Sequence, residues 1–244
     1  MKIYCMSDIH GCLAAFEEAL DLFEEHLEEK DTRLLLLGDY IHGGEDNYGV
    51  LDKIMAMQQE CGYDKVIALR GNHEEFVLYG ESTINHLIRT MDDYQRYSDE
   101  RDEIYIRWIE NLPRYYVEGN TIFVHAGIEE DAGDLWDWAT GENIFTGKFP
   151  AQTGKIEGLD KKVVAGHIGT SDIVGDASFH DIYYDGASHY YIDGTVLKSR
   201  RIPVLMVDTK TDRYYRVTET GSGPVQPYDM DDDEYDIWCK NLYR

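Results

Sequence analysis

Six side chains with oxygen or nitrogen donors stand at the ends of short apolar runs in this sequence. They are Asp8, His10, Asp39, Asn72, His125 and His167. A mixed oxygen and nitrogen set without a thiolate is typical of sites for manganese, iron, zinc or magnesium. A single Asp-x-His pair or a lone histidine is most often structural, so the prediction depends on the repetition of such motifs at five places along the chain.

Six candidate ligands exceed what one tetrahedral ion needs, and two ions that share a bridging carboxylate would use them all. Two divalent ions about 3.5–4 Å apart can clamp the attacking and the leaving oxygen of an in-line displacement at phosphorus. The chemistry that these residues predict is therefore metal-assisted hydrolysis of a phosphoester.

The elements that must position these ligands are three strand–helix units in the first third of the chain. Apolar runs at residues 3–6, 34–37 and 66–69 each end in a polar motif, and a helical pattern follows each motif. The first helix is expected over Leu13 to Leu27, the second over about Tyr48 to Glu60, and the third from near Glu74. Repeated units of this kind imply a parallel sheet whose ligand-binding residues gather beyond the carboxyl ends of the strands.

The remaining chain predicts a second sheet. Residues 81–112 are polar and are expected to form a helical cap or insert, and a hairpin turn at Gly119-Asn120 leads to the strand before His125. Residues 140–158 are expected to be a surface loop. Beyond His167, aromatic and β-branched runs separated by turns favour a second, largely antiparallel sheet.

The expected fold class is α/β (α+β), a four-layer α/β/β/α sandwich of two mixed sheets flanked by helices. We expect one domain over residues 1–218 and an acidic C-terminal tail over residues 219–244, where the run Asp231-Asp232-Asp233-Glu234 favours a solvated terminus over a calcium loop.

Composition excludes several classes of function. The 244 residues carry a formal net charge of −25, which argues against nucleic acid as a partner because nucleic-acid binders need a basic surface. No apolar run approaches the roughly 20 residues of a membrane span, and the N-terminus shows no signal-peptide pattern, so a cytoplasmic protein without a membrane partner is expected. Four cysteines without paired spacing predict buried thiols and indicate neither a disulfide framework nor a zinc knuckle.

Five ordered motifs resemble those of the calcineurin-like binuclear metallophosphoesterases. They are SDIHG at residues 7–11, GDYI at 38–41, LRGNHE at 69–74, VHAG at 124–127 and GH at 166–167. Within that family the chain looks most like the phosphoprotein phosphatase branch of bacteria and phages, whose C-terminal pattern is similar to YIDG at residues 191–194 followed by Arg201. The resemblance covers roughly residues 1–217.

The resemblance implies a role for each candidate ligand. Asp8 and His10 would hold the first metal, Asp39 would bridge, and Asn72, His125 and His167 would hold the second. A hydroxide that bridges the two ions would attack phosphorus, and His73 would protonate the leaving oxygen. Manganese is the favoured ion, with iron, zinc and magnesium as alternatives.

The second motif departs from the family pattern Gly-Asp-x-x-Asp-Arg-Gly. His42 replaces the carboxylate that orients the catalytic histidine, and Gly43 replaces a phosphate-gripping arginine. Loss of that arginine removes a bidentate contact to the phosphoryl group. Arg201 is the favoured substitute because the family's C-terminal pattern also has arginine there; Arg200, Arg114 and Arg70 are the other candidates. A neutral His42 is expected either to interact with His73 or to contact phosphate.

The resemblance therefore implies a metal-dependent phosphomonoesterase similar to a serine/threonine protein phosphatase, which acts on a phosphorylated protein or peptide or on a small phosphoester. The enzyme alternative is a hydrolase of dinucleoside polyphosphates such as diadenosine tetraphosphate, because relatives with that activity share the metal motifs. The second alternative is a catalytically weakened, metal-binding regulatory module. The sequence leaves the oligomeric state open.

Overall fold

The computed structural model describes residues 1–86, 88–91, 95, 97 and 99–230. The strands are β1 Lys2–Met6, β2 Thr32–Leu36, β3 Val66–Ala68, β4 Tyr115–Glu118, β5 Thr121–Val124, β6 Lys162–Ala165, β7 Tyr183–Tyr184, β8 His189–Tyr191, β9 Val204–Asp208, β10 Arg213–Thr218 and β11 Gly221–Pro224. The α-helices within the described residues are α1 Leu13–Asp21, α2 Asn47–Cys61, α3 Asn72–Leu78, α4 Asp102–Glu110, α5 Trp136–Ala139, α6 Glu142–Gly147, α7 Thr170–Val174 and α8 Val196–Ser199.

Two mixed sheets organise the chain. The first has the order β11-β10-β9-β1-β2-β3 and the second the order β4-β5-β6-β8-β7. Strands β1, β2 and β3 run parallel, with Tyr4 opposite Leu34 and Leu34 opposite Val66. In the second sheet β5, β6 and β8 run parallel, while the edge strands β4 and β7 are antiparallel to their neighbours. The prediction of two mixed sheets is confirmed.

Successive side chains along each strand point to opposite faces of the sheet, and the buried apolar ones form three clusters. Along β1, Ile3 and Cys5 belong to the cluster that also contains Phe123 and Val164 of the second sheet, so this cluster lies between the two sheets. Tyr4 belongs instead to a cluster with residues of α1, α2 and α4. The outer face of the second sheet packs against α5 and α6 through a third cluster. The four-layer arrangement of helices, two sheets and helices is thus confirmed.

The three predicted strand–helix units are present, although the first helix is shorter than expected. Helix α1 ends at Asp21, and a 3₁₀ turn follows at Glu24–Glu28. Phe23 lies between them with φ −151° and ψ 0°, outside helical geometry. Phe23 and Leu27 are nevertheless buried, so the apolar spacing correctly predicted burial but not one continuous helix.

The prediction that the C-terminal strands form their own sheet is wrong. Strand β9 pairs antiparallel with β1, with Lys2 opposite Asp208, and β10 and β11 extend the first sheet from there. Strands β7 and β8 join the second sheet instead, where β8 pairs parallel with β6. Strand β9 hydrogen-bonds to the side of β1 that β2 leaves unpaired. The apolar pattern of β9 indicates which face of the strand is buried, but it does not indicate which strand will be its neighbour.

The stretch 140–158 is more than the expected surface loop, because it contains α6, whose Phe145 is buried against the second sheet. In the predicted insert, α4 packs beside α2, while residues 87, 92–94, 96 and 98 lie outside the described residues. The domain limit at residue 218 stays a prediction; β11 continues the first sheet past it, and the acidic run at 231–234 lies outside the described residues.

Among the residues that the structure describes, no helix is both long enough and apolar enough to cross a membrane.

Candidate metal centre

The predicted ligands follow the carboxyl ends of parallel strands from both sheets. Asp8 lies two residues beyond β1, Asp39 three beyond β2, and Asn72 opens α3 after β3. His125 follows β5 directly, and His167 lies two residues beyond β6. Because the sheets pack face to face, these loops meet at one end of the sandwich, where ligands gather in folds with parallel strands.

Asp39 lies at the centre of the cluster and is 2% exposed. Its Oδ2 atom is 3.8 Å from Nε2 of His10 and 3.8 Å from Nε2 of His73, and its Oδ1 atom is 3.4 Å from Nε2 of His125. Two groups of possible metal ligands share this carboxylate: His10, Asp39 and His73, and Asp39, His125 and His167, with the ligand atoms of each group within 4.8 Å of one another. A carboxylate shared between two ligand groups is the arrangement expected of a bridging ligand.

The other two predicted ligands border these groups. Asp8 places Oδ1 3.9 Å from Nε2 of His10, and its Oδ2 accepts a hydrogen bond from the backbone N–H of His167 at 2.9 Å. Asn72 places Oδ1 2.9 Å from Nε2 of His125. The structure therefore brings the six predicted ligands together, and it adds His73, for which the sequence predicted an acid role, as a seventh donor.

The hydrogen-bonding chemistry of His125 fits a cation. Its Nδ1 lies 3.1 Å from the carbonyl oxygen of Leu37, and its Nε2 faces the oxygens of Asn72 and Asp39. A neutral imidazole has a single N–H, and burial lowers the pKa of His125 well below its usual value. If Nδ1 donates to Leu37, the Nε2 lone pair faces the two oxygens of Asn72 and Asp39, and a cation held by these three side chains would offset the repulsion.

His10 repeats this pattern. Its Nδ1 lies 3.1 Å from the carbonyl oxygen of His42 and 3.3 Å from that of Ile41, so Nδ1–H donates outward and the Nε2 lone pair faces the carboxylates of Asp8 and Asp39. Metal-binding histidines almost always donate their second N–H in this way, which fixes the ring and its tautomer. The donor set therefore fits divalent cations at both ends of Asp39.

The carboxylates of the site are buried near one another, which disfavours their ionised forms. Burial raises the pKa of Asp39 well above its usual value, and the nearby charges of Asp8 and Glu74 raise it further. Burial likewise raises the pKa of Asp8, with a second contribution from Asp193. Cations held between these carboxylates would reverse that tendency and keep them ionised.

The backbone is strained at five of the predicted site residues. Asp8, His10, Asp39, His42 and His167 have φ values of 54°, 50°, 57°, 74° and 65°. Residues other than glycine seldom occupy this left-handed region, and such strain concentrates at functional sites. The sharp turns direct the side chains of each loop toward one point, which no sequence pattern would have shown.

Glu74 is a site residue whose role the sequence analysis missed. Its side chain is fully buried, and its carboxylate accepts hydrogen bonds from the backbone N–H groups of Asp39, Tyr40 and Gly71 at 2.8–2.9 Å. It thereby ties the second motif to the third. Its spacing of three residues after Gly71, as in a capping box, was the available signal.

Asp193 is a second residue without a predicted role. It is 7% exposed, accepts a hydrogen bond from the backbone N–H of Thr195 at 2.7 Å, and lies close enough to Asp8 to raise the pKa of that carboxyl. Burial raises the pKa of Asp193 itself to about 6. The YIDG motif that contains it was the only signal in the sequence.

Two of the candidate arginines are held by other contacts. The buried Arg70 donates to the carbonyl oxygens of Ile109 and Glu110 at 3.0 and 2.8 Å. Arg114 forms an ion pair with Glu142 at 2.9 Å. These contacts tie α4 and α6 to neighbouring segments, which is a structural use of both side chains.

Arg201 and Arg200 point to different places. Arg201 lines a cavity of about 880 Å³ between α1, β10 and residues 178–181. Arg200 instead lies 3.9 Å from the carboxylate of Glu45 and within hydrogen-bonding reach of the Cys12 thiol, two residues from His10. Its guanidinium is mostly exposed and lies beside the loop that follows His10, whereas Arg201 faces the cavity next to α1.

The position of Gly43 explains why it carries no arginine. Its φ is +109°, and a Cβ atom built there would lie 2.7 Å from Cδ1 of Leu197 in α8. Because the Leu197 methyl groups end a flexible side chain, the positive φ favours glycine here more than this contact does, at the point where the family pattern has an arginine.

His42 forms two contacts through its ring. Its Nδ1 lies 2.9 Å from Nδ1 of His73, and its Nε2 lies 2.9 Å from the carbonyl oxygen of Thr83. Of the two alternatives weighed from the sequence, the structure shows the contact with His73.

Comparisons with known proteins agree with this geometry. A family profile described as calcineurin-like phosphoesterase matches residues 1–206. The symmetrical bis(5'-nucleosyl)-tetraphosphatase of Nitrosospira multiformis is 32% identical over 130 residues, which cover 52% of this chain and 44% of the relative. The enzyme of the same name from Aromatoleum aromaticum is 29% identical over 131 residues, 52% of this chain and 45% of the relative. The aligned part thus spans less than half the length of these relatives.

A solved structure shares the fold over nearly the whole chain. The cold-active protein-tyrosine phosphatase of a psychrophilic Shewanella superposes with a TM-score of 0.64, covering 92% of this chain and 80% of the other at 17% identity. At that identity the likeness shows the fold alone.

Proposed function

This chain belongs to the calcineurin-like phosphoesterase family, and we propose that within it the protein is a metal-dependent hydrolase of dinucleoside tetraphosphates. Symmetrical hydrolysis would break the central P–O–P bond, add the elements of water, and release two nucleoside diphosphates. The observation that carries the proposal is the Asp39 carboxylate, which two groups of nitrogen donors share.

The residues that would hold two divalent ions are those predicted from the sequence: Asp8, His10, Asp39, Asn72, His125 and His167. Ions bound there would supply positive charge that stabilises the negative charge developing at phosphorus. Manganese remains the favoured ion as a proposal. Arg200, at the rim beside Cys12, would neutralise a phosphate further along the polyphosphate chain.

His73 is the proposed general acid. Its Nε2 faces the site 3.8 Å from Asp39, and a proton held there would pass to the leaving oxygen. Burial lowers the pKa of His73 to about 3, and the neighbouring rings of His10, His42 and His167 contribute. At neutral pH an imidazole with this pKa is almost always neutral, which makes it a weak source of protons.

The weakness of that acid favours a polyphosphate over phosphoserine. A serine alkoxide is strongly basic and needs a proton to leave, whereas a phosphate oxygen loses its last proton with a pKa of about 6 and leaves well without one. The names of the relatives support the same choice. The dinucleoside polyphosphate alternative is therefore better supported than the protein serine/threonine phosphatase, which was the first expectation.

The direct test is hydrolysis of diadenosine tetraphosphate by the purified protein with added manganese, followed by chromatography of the nucleotides. We expect two adenosine diphosphates for each substrate consumed. A phosphothreonine peptide, assayed in parallel, should react more slowly because its alkoxide leaving group is far more basic. p-Nitrophenyl phosphate, whose leaving group needs no proton, serves as the third substrate.

Two results would overturn this proposal. Faster turnover of the phosphothreonine peptide would restore the protein phosphatase. Failure of all three substrates to react faster than with an Asp39→Asn variant would instead favour the metal-binding regulatory module.

A further inference from the structure

His42 and His73 meet through their Nδ1 atoms, and this contact fixes which nitrogen of each ring carries the proton. The separation of 2.9 Å requires one N–H between the two nitrogens. The second nitrogen of His42, Nε2, lies 2.9 Å from the carbonyl oxygen of Thr83, which can only accept. When both rings are neutral, His42 therefore carries its proton on Nε2.

The tautomer of His73 follows from that of His42. With its proton on Nε2, the neutral His42 ring offers a lone pair at Nδ1, so the shared proton belongs to Nδ1 of His73. The remaining nitrogen of His73, Nε2, then faces Asp39 and the ligand cluster with a free lone pair.

We propose that His42 is a positioning residue that accepts a hydrogen bond from Nδ1–H of His73 and so directs Nε2 of His73 into the metal centre. The role of this hydrogen bond in catalysis rests on the proposed function, whereas the hydrogen bond itself does not depend on it. His42 thus supplies the orientation that the family pattern obtains from an aspartate at this position.

Geometry explains how an imidazole replaces a carboxylate here. Nδ1 of histidine and Oδ1 of aspartate are separated from Cα by the same number of bonds, so both acceptors reach the same point. Position 42 has φ +74°, a region in which histidine, asparagine and aspartate are the side chains enriched among non-glycine residues. Only histidine extends further, to place a donor against Thr83.

The segment that holds His42 is itself firmly anchored. The backbone N–H of His42 donates to Oδ1 of Asn47 at 2.9 Å, and Asn47 donates to the carbonyl oxygen of Ile84 at 3.1 Å. Thr83 is 4% exposed and closes a turn with His86 through a backbone hydrogen bond of 2.7 Å. The start of the insert therefore presents a fixed carbonyl oxygen to Nε2–H of His42.

The first test reads the tautomers directly and needs no activity. In ¹⁵N-labelled protein loaded with magnesium at pH 8, long-range ¹H–¹⁵N correlation spectra should show His73 as the Nδ1–H tautomer and His42 as the Nε2–H tautomer. Signals are assigned by their loss in His73→Gln and His42→Asn. Finding the proton of His73 on Nε2 would overturn the proposal.

Three variants extend this test. His42→Gly accommodates φ +74° without strain and removes the acceptor, so His73 should become a mixture of tautomers. His42→Asp keeps an acceptor at the same point and should retain Nδ1–H on His73. His26→Ala, which removes an exposed histidine, is the control and should leave the His73 signals unchanged.

Steady-state kinetics of the same variants test whether the hydrogen bond between His42 and His73 contributes to catalysis. With diadenosine tetraphosphate, whose leaving group depends only weakly on an acid, His42→Gly should lower kcat by only about 3- to 10-fold with little change in KM, and His42→Asp should recover most of that loss. Equal kcat values for the wild type and His42→Gly would overturn the positioning role while leaving the hydrolase intact. The expected tautomers in a protein that hydrolyses none of the substrates would instead uphold the hydrogen bond and reject the proposed function.

Discussion

At the scale of single residues, Asp39 decides the character of the site. Nitrogen atoms of His10 and His73 approach one of its oxygens, and His125 approaches the other. It is also almost fully buried, so its charge is screened little by solvent. One side chain therefore serves both groups of ligands.

We expect Asp39→Asn to abolish metal-dependent hydrolysis, because the shared ligand loses its charge while its shape is kept. The loss should be about 100-fold or more in kcat at saturating manganese. Asp21→Asn, an exposed change in α1, is the matched control and should retain full activity. Activity of Asp39→Asn at saturating metal would contradict the bridging role.

Substituting Arg200 and Arg201 separately can show which of these adjacent arginines contacts the substrate. Arg200 lies beside Glu45 and Cys12, whereas Arg201 lines the cavity next to α1. We expect Arg200→Ala to raise KM for diadenosine tetraphosphate by about tenfold, because one charge-assisted contact of roughly 1.5 kcal/mol is lost. Arg201→Ala should change KM less than twofold, and the reverse result would restore the sequence prediction.

At the scale of elements, α2 and α4 are joined by two reciprocal hydrogen bonds. The Tyr48 hydroxyl donates to Asp102 at 2.7 Å, and the Tyr105 hydroxyl donates to Asp52 at 2.8 Å. The two rings also pack with their centroids 5.4 Å apart. This contact fixes the described helix of the insert against the layer that covers the first sheet.

The two bonds should differ in their effect on stability. Asp102 is 4% exposed, whereas Asp52 is exposed, so only Tyr48→Phe leaves a buried carboxylate without its donor. We expect Tyr48→Phe to lower the free energy of unfolding by about 1–3 kcal/mol at pH 7, and Tyr105→Phe by less. Denaturant melts of both variants test this, and equal losses would contradict it.

The same pair predicts a loss of stability in alkali. Burial, followed by the hydrogen bond to its aspartate, raises the pKa of each tyrosine to about 12. The unfolded chain releases these protons near pH 10, so between about pH 10 and 12 the folded state binds more protons and its stability falls as pH rises. The decline should be shallower in Tyr48→Phe, whereas Tyr63→Phe, which removes an exposed tyrosine, should match the wild type.

At the scale of the whole molecule, the chain carries a large negative net charge, and its candidate site is itself rich in buried carboxylates. The net charge is −25, and Asp8, Asp39, Glu74 and Asp193 are all buried near one another. Metal ions that bind the folded state alone will stabilise it by mass action, in addition to any role in chemistry.

Removal of metal should therefore lower Tm. Manganese at 100 times its Kd adds about 2.7 kcal/mol for each site to the free energy of unfolding. We expect a chelator to lower Tm by several degrees, manganese to restore it, and Asp39→Asn to show a much smaller difference. An unchanged Tm in the wild type would argue against a metal centre.

The sequence by itself predicted the layered fold and the candidate ligands that the structure brings together. Apolar runs that end in polar motifs predict parallel strands, and the carboxyl ends of parallel strands converge whatever the remaining chain does. Asp8, Asp39 and Asn72 could therefore be placed together from the strand pattern, whereas His125 and His167 joined them only through the family resemblance. The helical spacing of Phe16 and Leu20 likewise predicted the face of α1 that is buried.

Only the tertiary structure decided which strand pairs with which and which side chains support the ligands. The pairing of β9 with β1 and the contact of His42 with Thr83 join segments far apart in sequence, and no local spacing encodes such contacts. The places of Arg200 and Arg201 follow in the same way from the turn after α8. Local patterns specify what each segment buries, whereas the approach of distant segments depends on the packing of the complete chain.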